Sequence, residues 1–199
     1  INPMFKFFLI SLGLLLMSAS ALSDEVISRI AAQLSNNPPL SIGAFTQEKR
    51  LKFLRKPLVS SGEFIFAKER GVLWKTQKPM ASVLYVGEGG MVADGASQSL
   101  PADVGRIFGN LLGGDLNALA QDFSMQAEEK AGMWQVRLTP INPEVQKMIK
   151  TITIDGDHEI KAITLTESGG NTTAIMFSGI SHPNQLSPRQ SDEFARFQP

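Results

Sequence analysis

Between Ile42 and Val86 the chain spells a run of short apolar segments broken by glycine, proline or charge: SIGAFTQEKR, PLVSSGEFIF, GVLWKTQKPM and ASVLYV. From Gly62 to Lys68, Phe64 and Phe66 fall on one side, with Glu63 and Ile65 on the other. From Gly71 to Thr76, Val72 and Trp74 oppose Leu73 and Lys75. Alternation of period two, rich in aromatic and β-branched residues, marks strands of an antiparallel sheet, because successive side chains point to opposite faces. Phe64, Phe66, Val72 and Trp74 are thereby expected on one concave apolar surface, and Phe45, Leu84 and Val86 are counted with them as the candidate wall of a cavity. The remaining segments read as frame or cover for it.

The start of the chain is of another kind. Lys6 precedes FFLISLGLLLM, and the small residues Ser18, Ala19, Ser20 and Ala21 follow. One positive charge, a short apolar run and an A-x-A-like end describe a secretory signal peptide over residues 1–23, leaving 24–199 as the exported product. The competing reading is a membrane anchor, but the uninterrupted run falls short of the roughly 20 residues a spanning helix needs. Residues 24–199 suit one domain with a real core. The chain has no cysteine, which excludes disulfides, thiolate metal sites and lipid attachment through an N-terminal cysteine. Its 19 Lys+Arg balance 19 Asp+Glu, so net charge draws it to neither nucleic acid nor an anionic surface.

Asp24 and Glu25 open an expected helix whose apolar stripe is Val26, Ile27, Ile30, Ala31 and Leu34, stopped at Asn36-Asn37-Pro38-Pro39. A strand follows over Ile42–Leu54, and its tail, KRLKFLRK, carries five positive charges. Such a run reads as a solvated strand end or hairpin tip, with a docking patch as the other reading. Gly87–Gly90 reads as a turn, Met91–Ala93 as a returning strand and 94–99 as loop. After Asp103, Val104, Ile107, Phe108, Leu111 and Leu112 fall at helical spacing, and Gly113-Gly114 ends the helix. A short helix starts at Asp115. These apolar helices interrupt a series of strands, and the concave face of the sheet is where they are expected to bury themselves. Strands over Asp122–Glu128 and Met133–Thr139, a helix capped by Asn142-Pro143, and a meander from Thr151 to Ser178 complete the series. The polar tail from Ile180 to Pro199 offers Phe194 and Phe197 as docking points.

Reactive chemistry is sparse. His158 sits in a predicted turn and His182 stands before Pro183, neither beside a serine-centred motif. Asp155-Gly156-Asp157-His158 is the one candidate cluster for a metal, and a solvated turn explains it better. Gly87–Gly90 lacks the lysine and helix of a phosphate loop. No catalytic residue, metal ligand or cofactor is therefore assigned. Two readings of the apolar inventory remain: ordinary core, or the wall of a cavity, which a strongly curved sheet covered by short helices leaves at its mouth.

Phe45-Thr46-Gln47, Gly62 at a strand start, Trp74, Pro79, Ser82-Val83-Leu84, Leu138-Thr139-Pro140 and the Glu167–Asn171 turn, in this order, resemble the periplasmic outer-membrane lipoprotein carriers, the LolA-like family. The resemblance spans the exported chain. It implies an α+β fold, an unclosed antiparallel β-barrel with helices as a lid over an apolar cavity. It implies a monomeric periplasmic carrier of acylated lipoprotein or lipid, loaded by an inner-membrane ABC transporter or exporter and discharged to an outer-membrane acceptor. In that picture Val104, Ile107, Phe108, Leu111 and Leu112 are the lid. The family's latch arginine, followed by proline, is replaced by Lys68-Glu69, with Arg70 two residues on. Lysine lacks the planar fork of donors, so Lys68 and Arg70 stand only as latch candidates. The departures point to a divergent branch. The expected cargo is a lipoprotein, or a glycolipid or pigment-lipid of a dedicated export system; the other readings are a carrier or sensor of other lipids, a non-catalytic envelope scaffold and an enzyme on acyl substrates.

Overall fold

The computed structural model describes residues 22–87, 90–93 and 102–197. The expected signal segment up to residue 21 and the loop at 94–99 lie outside the described residues. Helix α1 covers 22–35. Strands β1 (Leu40–Arg50), β2 (Leu58–Ala67), β3 (Gly71–Lys78), β4 (Ser82–Gly87) and β5 (Gly90–Ala93) follow. Then come α2 (Ala102–Gly113), α3 (Leu116–Leu119), β6 (Phe123–Lys130), β7 (Met133–Pro140), α4 (Pro143–Met148), β8 (Ile149–Gly156), β9 (Ile160–Glu167), β10 (Thr172–Ser181) and α5 (Pro188–Ala195).

The ten strands form one antiparallel sheet in the order β5-β4-β3-β2-β1-β10-β9-β8-β7-β6. Its edges, β5 and β6, do not pair, so the barrel is unclosed, as expected. These two edge strands are consecutive in sequence, and α2 and α3 lie between them. The chain must cross from one edge to the other, and crossing the concave face lets two apolar helices bury there.

The strand faces separate two apolar clusters on the concave side from a third on the convex side. On the concave side, Phe45, Phe64, Trp74 and Ile175 form an aromatic-rich cluster. A larger cluster joins Ile30 and Leu34 of α1 to Val136, Leu138, Ile152, Ile154 and Ile163 of β7–β9. On the convex side, Ile65, Leu73 and Tyr85 are covered by α5, where Phe194 is fully buried. Lys75 and Glu193 bond across that interface at 2.9 Å. The polar tail thus docks through Phe194, because both faces of β2–β4 carry large apolar side chains and each needs a cover.

Two boundaries depart from the sequence reading. β1 ends at Arg50 rather than Leu54. The like charges of the basic run favour solvent over a ladder, and Pro57 has no N–H to give one, so 51–57 forms the tip of the β1–β2 hairpin. Asp122 falls before β6, not within it, and is buried. Gly62 answers a close approach: a Cβ there would stand 1.9 Å from the Lys75 carbonyl oxygen, where β2 and β3 shift register.

Candidate apolar cavity and its lid

A cavity of about 1790 Å³ opens between α1, α2 and the concave face of the sheet. It exceeds the roughly 300–1,000 Å³ of ordinary small-molecule sites. Its apolar wall is Phe64 and Phe66 from β2, Val72 from β3, Val86 from β4, and Phe177 and Ile180 from β10, with Leu34 and Leu112 from the helices. Its mouth lies at the β2–β3 end of the barrel, ringed by Lys68, Glu69, Arg70, Glu159, His182 and Arg196.

Of the seven residues expected to wall the cavity, Phe64, Phe66, Val72 and Val86 do so. Phe45, Trp74 and Leu84 share their face but lie beneath the lid. Trp74 is the hub of this floor. Phe45 stacks on it at 3.7 Å between ring centroids, and Phe108 of α2 meets it edge-on at 5.6 Å. Phe177 closes the group at 6.3 Å from Trp74 and 5.3 Å from Phe64. Each such pair contributes about 0.5–1.5 kcal/mol beyond area burial. Phe177 and Ile180 escaped the sequence reading because only the β1–β10 pairing, which sets Phe45 opposite Phe177, brings them to this wall.

The five lid residues do not act as one group. Phe108 and Leu112 rest on the aromatic floor, whereas Ile107 and Leu111 are buried in the larger core with α1 and β7–β9. The side chain of Val104 lies outside the described residues. A helical stripe wider than about 100° meets two surfaces when the helix lies in a trough. The face of α2 turned to the cavity carries Gly105, Gly109 and Gly113, every fourth residue, flanked by Arg106, Asn110 and Leu112. A Cβ on Gly109 would meet nothing within 4 Å, and one on Gly113 would meet Phe66 at 3.0 Å. Bare backbone thus widens the cavity, and each interior glycine weakens the helix by about 1 kcal/mol relative to alanine. This G-x-x-x-G-x-x-x-G spacing was legible in the sequence but masked by the apolar stripe beside it.

Among the described residues, neither latch candidate hydrogen-bonds α2. Lys68 donates its backbone N–H to Pro39, and the Arg70 carbonyl accepts from the Tyr85 hydroxyl; both side chains are exposed at the mouth. Beyond its apolar packing, α2 is tied by Arg106, whose Nη2 donates to Asp122 Oδ2 at 2.6 Å. Asp122 Oδ1 accepts from Asn142 Nδ2 at 3.1 Å, and the Asp122 carbonyl accepts from the Ile141 N–H at 2.8 Å. Helix α2 is thus tied through the buried Asp122 carboxylate to Asn142, the N-cap of α4.

The titratable groups are engaged in structure. His182 Nδ1 lies 3.1 Å from Ser41 Oγ, and Nε2 lies 3.4 Å from Glu159 Oε2. The composition is that of a nucleophilic triad. However, Glu159 binds Lys161 at 2.7 Å, and Nδ1 is also 3.3 Å from the Leu40 carbonyl. With its hydrogen on Nδ1 given to that carbonyl, the ring has no lone pair on Nδ1, the nitrogen facing Ser41, to take the serine proton. Burial raises the Asp157 carboxyl, but the backbone N–H groups of Glu159 and His158, with the charges of Lys161 and His158, outweigh it and hold it below its ordinary range. Asp157 also accepts from the Glu159 N–H at 3.1 Å, which makes Asp155–His158 a self-satisfied turn. Among the described residues no group of three or more His, Cys, Asp or Glu is placed to hold a metal ion.

The geometry on the page is an open antiparallel barrel with helix α2 lying over a large, mainly apolar hollow. Residues 41–192 match the family described as outer membrane lipoprotein carrier protein LolA, and the chain belongs to that family. Its members are non-catalytic, periplasmic carriers. Among solved structures, the chain is similar to the Pseudomonas aeruginosa MucA/MucB complex at 13% identity and a TM-score of 0.44, covering 82% of this chain and 58% of that one. A DUF1329 family protein from Desulfovibrio piger gives 11% identity and a TM-score of 0.45, covering 82% and 94%. An outer membrane lipoprotein-sorting protein domain from Vibrio parahaemolyticus gives 11% and 0.40, covering 86% and 95%. The chain therefore spans little more than half of the MucB-type chain it matches. Comparison with curated protein sequences yields no match.

Proposed function

We propose that the protein, exported to the periplasm with its leader removed, shields the acyl chains of a lipoprotein and delivers it toward the outer membrane. The observation that carries this reading is the hollow of about 1790 Å³ walled by Phe64, Phe66, Val72, Val86 and Phe177 beneath α2. A scaffold with a filled interior has no need of such a space. Burying acyl methylenes releases about 0.8 kcal/mol each, so two or three chains would be held too tightly to hand over. A lid competing for the same surface lowers the net affinity. When Phe108 and Leu112 lift from the floor, Phe45, Trp74 and Leu84 join the wall; when cargo leaves, the helix returns. In this reading the protein acts as a monomer between an inner-membrane ABC transporter and an outer-membrane acceptor, without nucleic acid.

Native mass spectrometry of the protein recovered from cells, followed by lipid extraction, tests the reading. One acylated species per protein is expected, and lipopeptides identify lipoprotein cargo. Glycolipid or pigment-lipid in their place would overturn the lipoprotein assignment and keep the carrier. An empty protein that also takes up no acylated peptide in vitro would overturn both.

A further inference from the structure

We infer that the end of the barrel opposite the cavity mouth is a docking surface for an anionic lipid bilayer. Seven of the ten large apolar side chains exposed among the described residues gather at this one end. Phe53 and Leu54 form the β1–β2 hairpin tip, 78% and 41% exposed, with Leu58 and Val59 at 53% and 55% beside them. Met80 in the adjacent β3–β4 turn is 78% exposed, and two more stand around α4. The strand directions place these loops together, since β1 runs toward the tip and β3 runs parallel to it through β2.

The charges at this end are uneven. Arg50 pairs with Glu48, Lys49 with Glu167 and Lys147 with Glu144. Among the described residues, Lys52, Arg55 and Lys56 on the same tip have no ion-pair partner. The net charge of the chain is zero, so the excess is local. Exposed aromatic and aliphatic side chains interleaved with unpaired cations match the headgroup boundary of an anionic membrane, where apolar groups enter the acyl layer and cations stay at the phosphates. The apolar side chains stand on several separate segments rather than on one strand or helix face, and the unpaired cations beside them supply the charge complementarity that an anionic bilayer offers. β2, ten residues long, separates the tip from the mouth by about 30 Å at the usual rise per residue. A docked molecule therefore keeps its mouth clear of the bilayer it touches, so the inference stands independently of the cargo.

The absence of cysteine makes the test site-specific. Phe53→Cys and Met133→Cys, the latter at the opposite end, are each labelled with a polarity-sensitive fluorophore. They are then mixed with vesicles of equal parts phosphatidylglycerol and phosphatidylcholine. Position 53 should shift to the blue and position 133 should not, and pure phosphatidylcholine should give neither shift. Lys52→Gln with Arg55→Gln and Lys56→Gln should weaken vesicle binding at least about tenfold, since each basic residue near an anionic surface counts about fivefold. These side chains are exposed, so thermal unfolding should be unchanged. Equal shifts at 53 and 133, or none, would overturn the inference. So would a shift at 53 that rises with protein concentration without vesicles, which would assign the tip to a second copy.

Discussion

Phe108 on the lid meets Trp74 on the sheet edge-on, with ring centroids 5.6 Å apart and planes at 74°. Lid and floor touch through this pair, whereas Ile107, one residue earlier, is buried in the other core. The two halves of the helix stripe therefore respond differently to mutation. Phe108→Ala combined with Leu112→Ala should increase binding of an apolar naphthylamine probe and expose Trp74 to acrylamide, at a cost of about 2–4 kcal/mol. Ile107→Ala should cost a similar amount without that gain. Probe titration and urea unfolding of both variants check the division.

Gly109 faces the hollow with room for a side chain. Gly109→Leu should therefore fold at least as well as the parent, gaining up to about 1 kcal/mol of helix propensity. The leucine would occupy cavity volume, so probe and cargo binding should fall severalfold. A variant more stable and less able to bind is the expected outcome, read by thermal unfolding and probe affinity.

Asp122 holds the lid to α4. Asp122→Ala should cost about 1–3 kcal/mol, the usual loss when buried hydrogen-bond partners are left unmatched. Backbone amides of 102–113 should then exchange with deuterium faster than those of β7–β9. Lys68→Ala should leave that exchange unchanged, which separates the observed tether from the latch place expected by family resemblance.

Glu193 fastens α5 to the convex face. Burial raises its carboxyl, but the hydrogen bond and charge of Lys75, with Arg189, outweigh it and hold it below its ordinary value of 4.5. A carboxyl depressed in the folded state stabilises fully above the unfolded value and loses that contribution as pH falls through the folded one. Urea unfolding of Glu193→Gln should show a deficit of about 1 kcal/mol at neutral pH. The deficit should shrink on acidification below pH 4.5.

The sequence by itself determined the strands and which side chains share a face. Alternation fixes the side on which Phe64, Phe66, Val72 and Trp74 stand, and the spacing of Ile107, Phe108, Leu111 and Leu112 fixes a helix; both periods are local properties of the backbone. It did not determine what each face meets. That Phe177 closes the wall opposite Phe45, that α2 divides its stripe between two cores, and that Phe194 seals the convex side all depend on pairing between distant segments. Asp122 shows the same limit. In sequence it is one acid among nineteen Asp and Glu, and only the fold buries it between Arg106 and Asn142. Contacts across a sheet are set by register and by the path of the crossover, which no short window of residues contains.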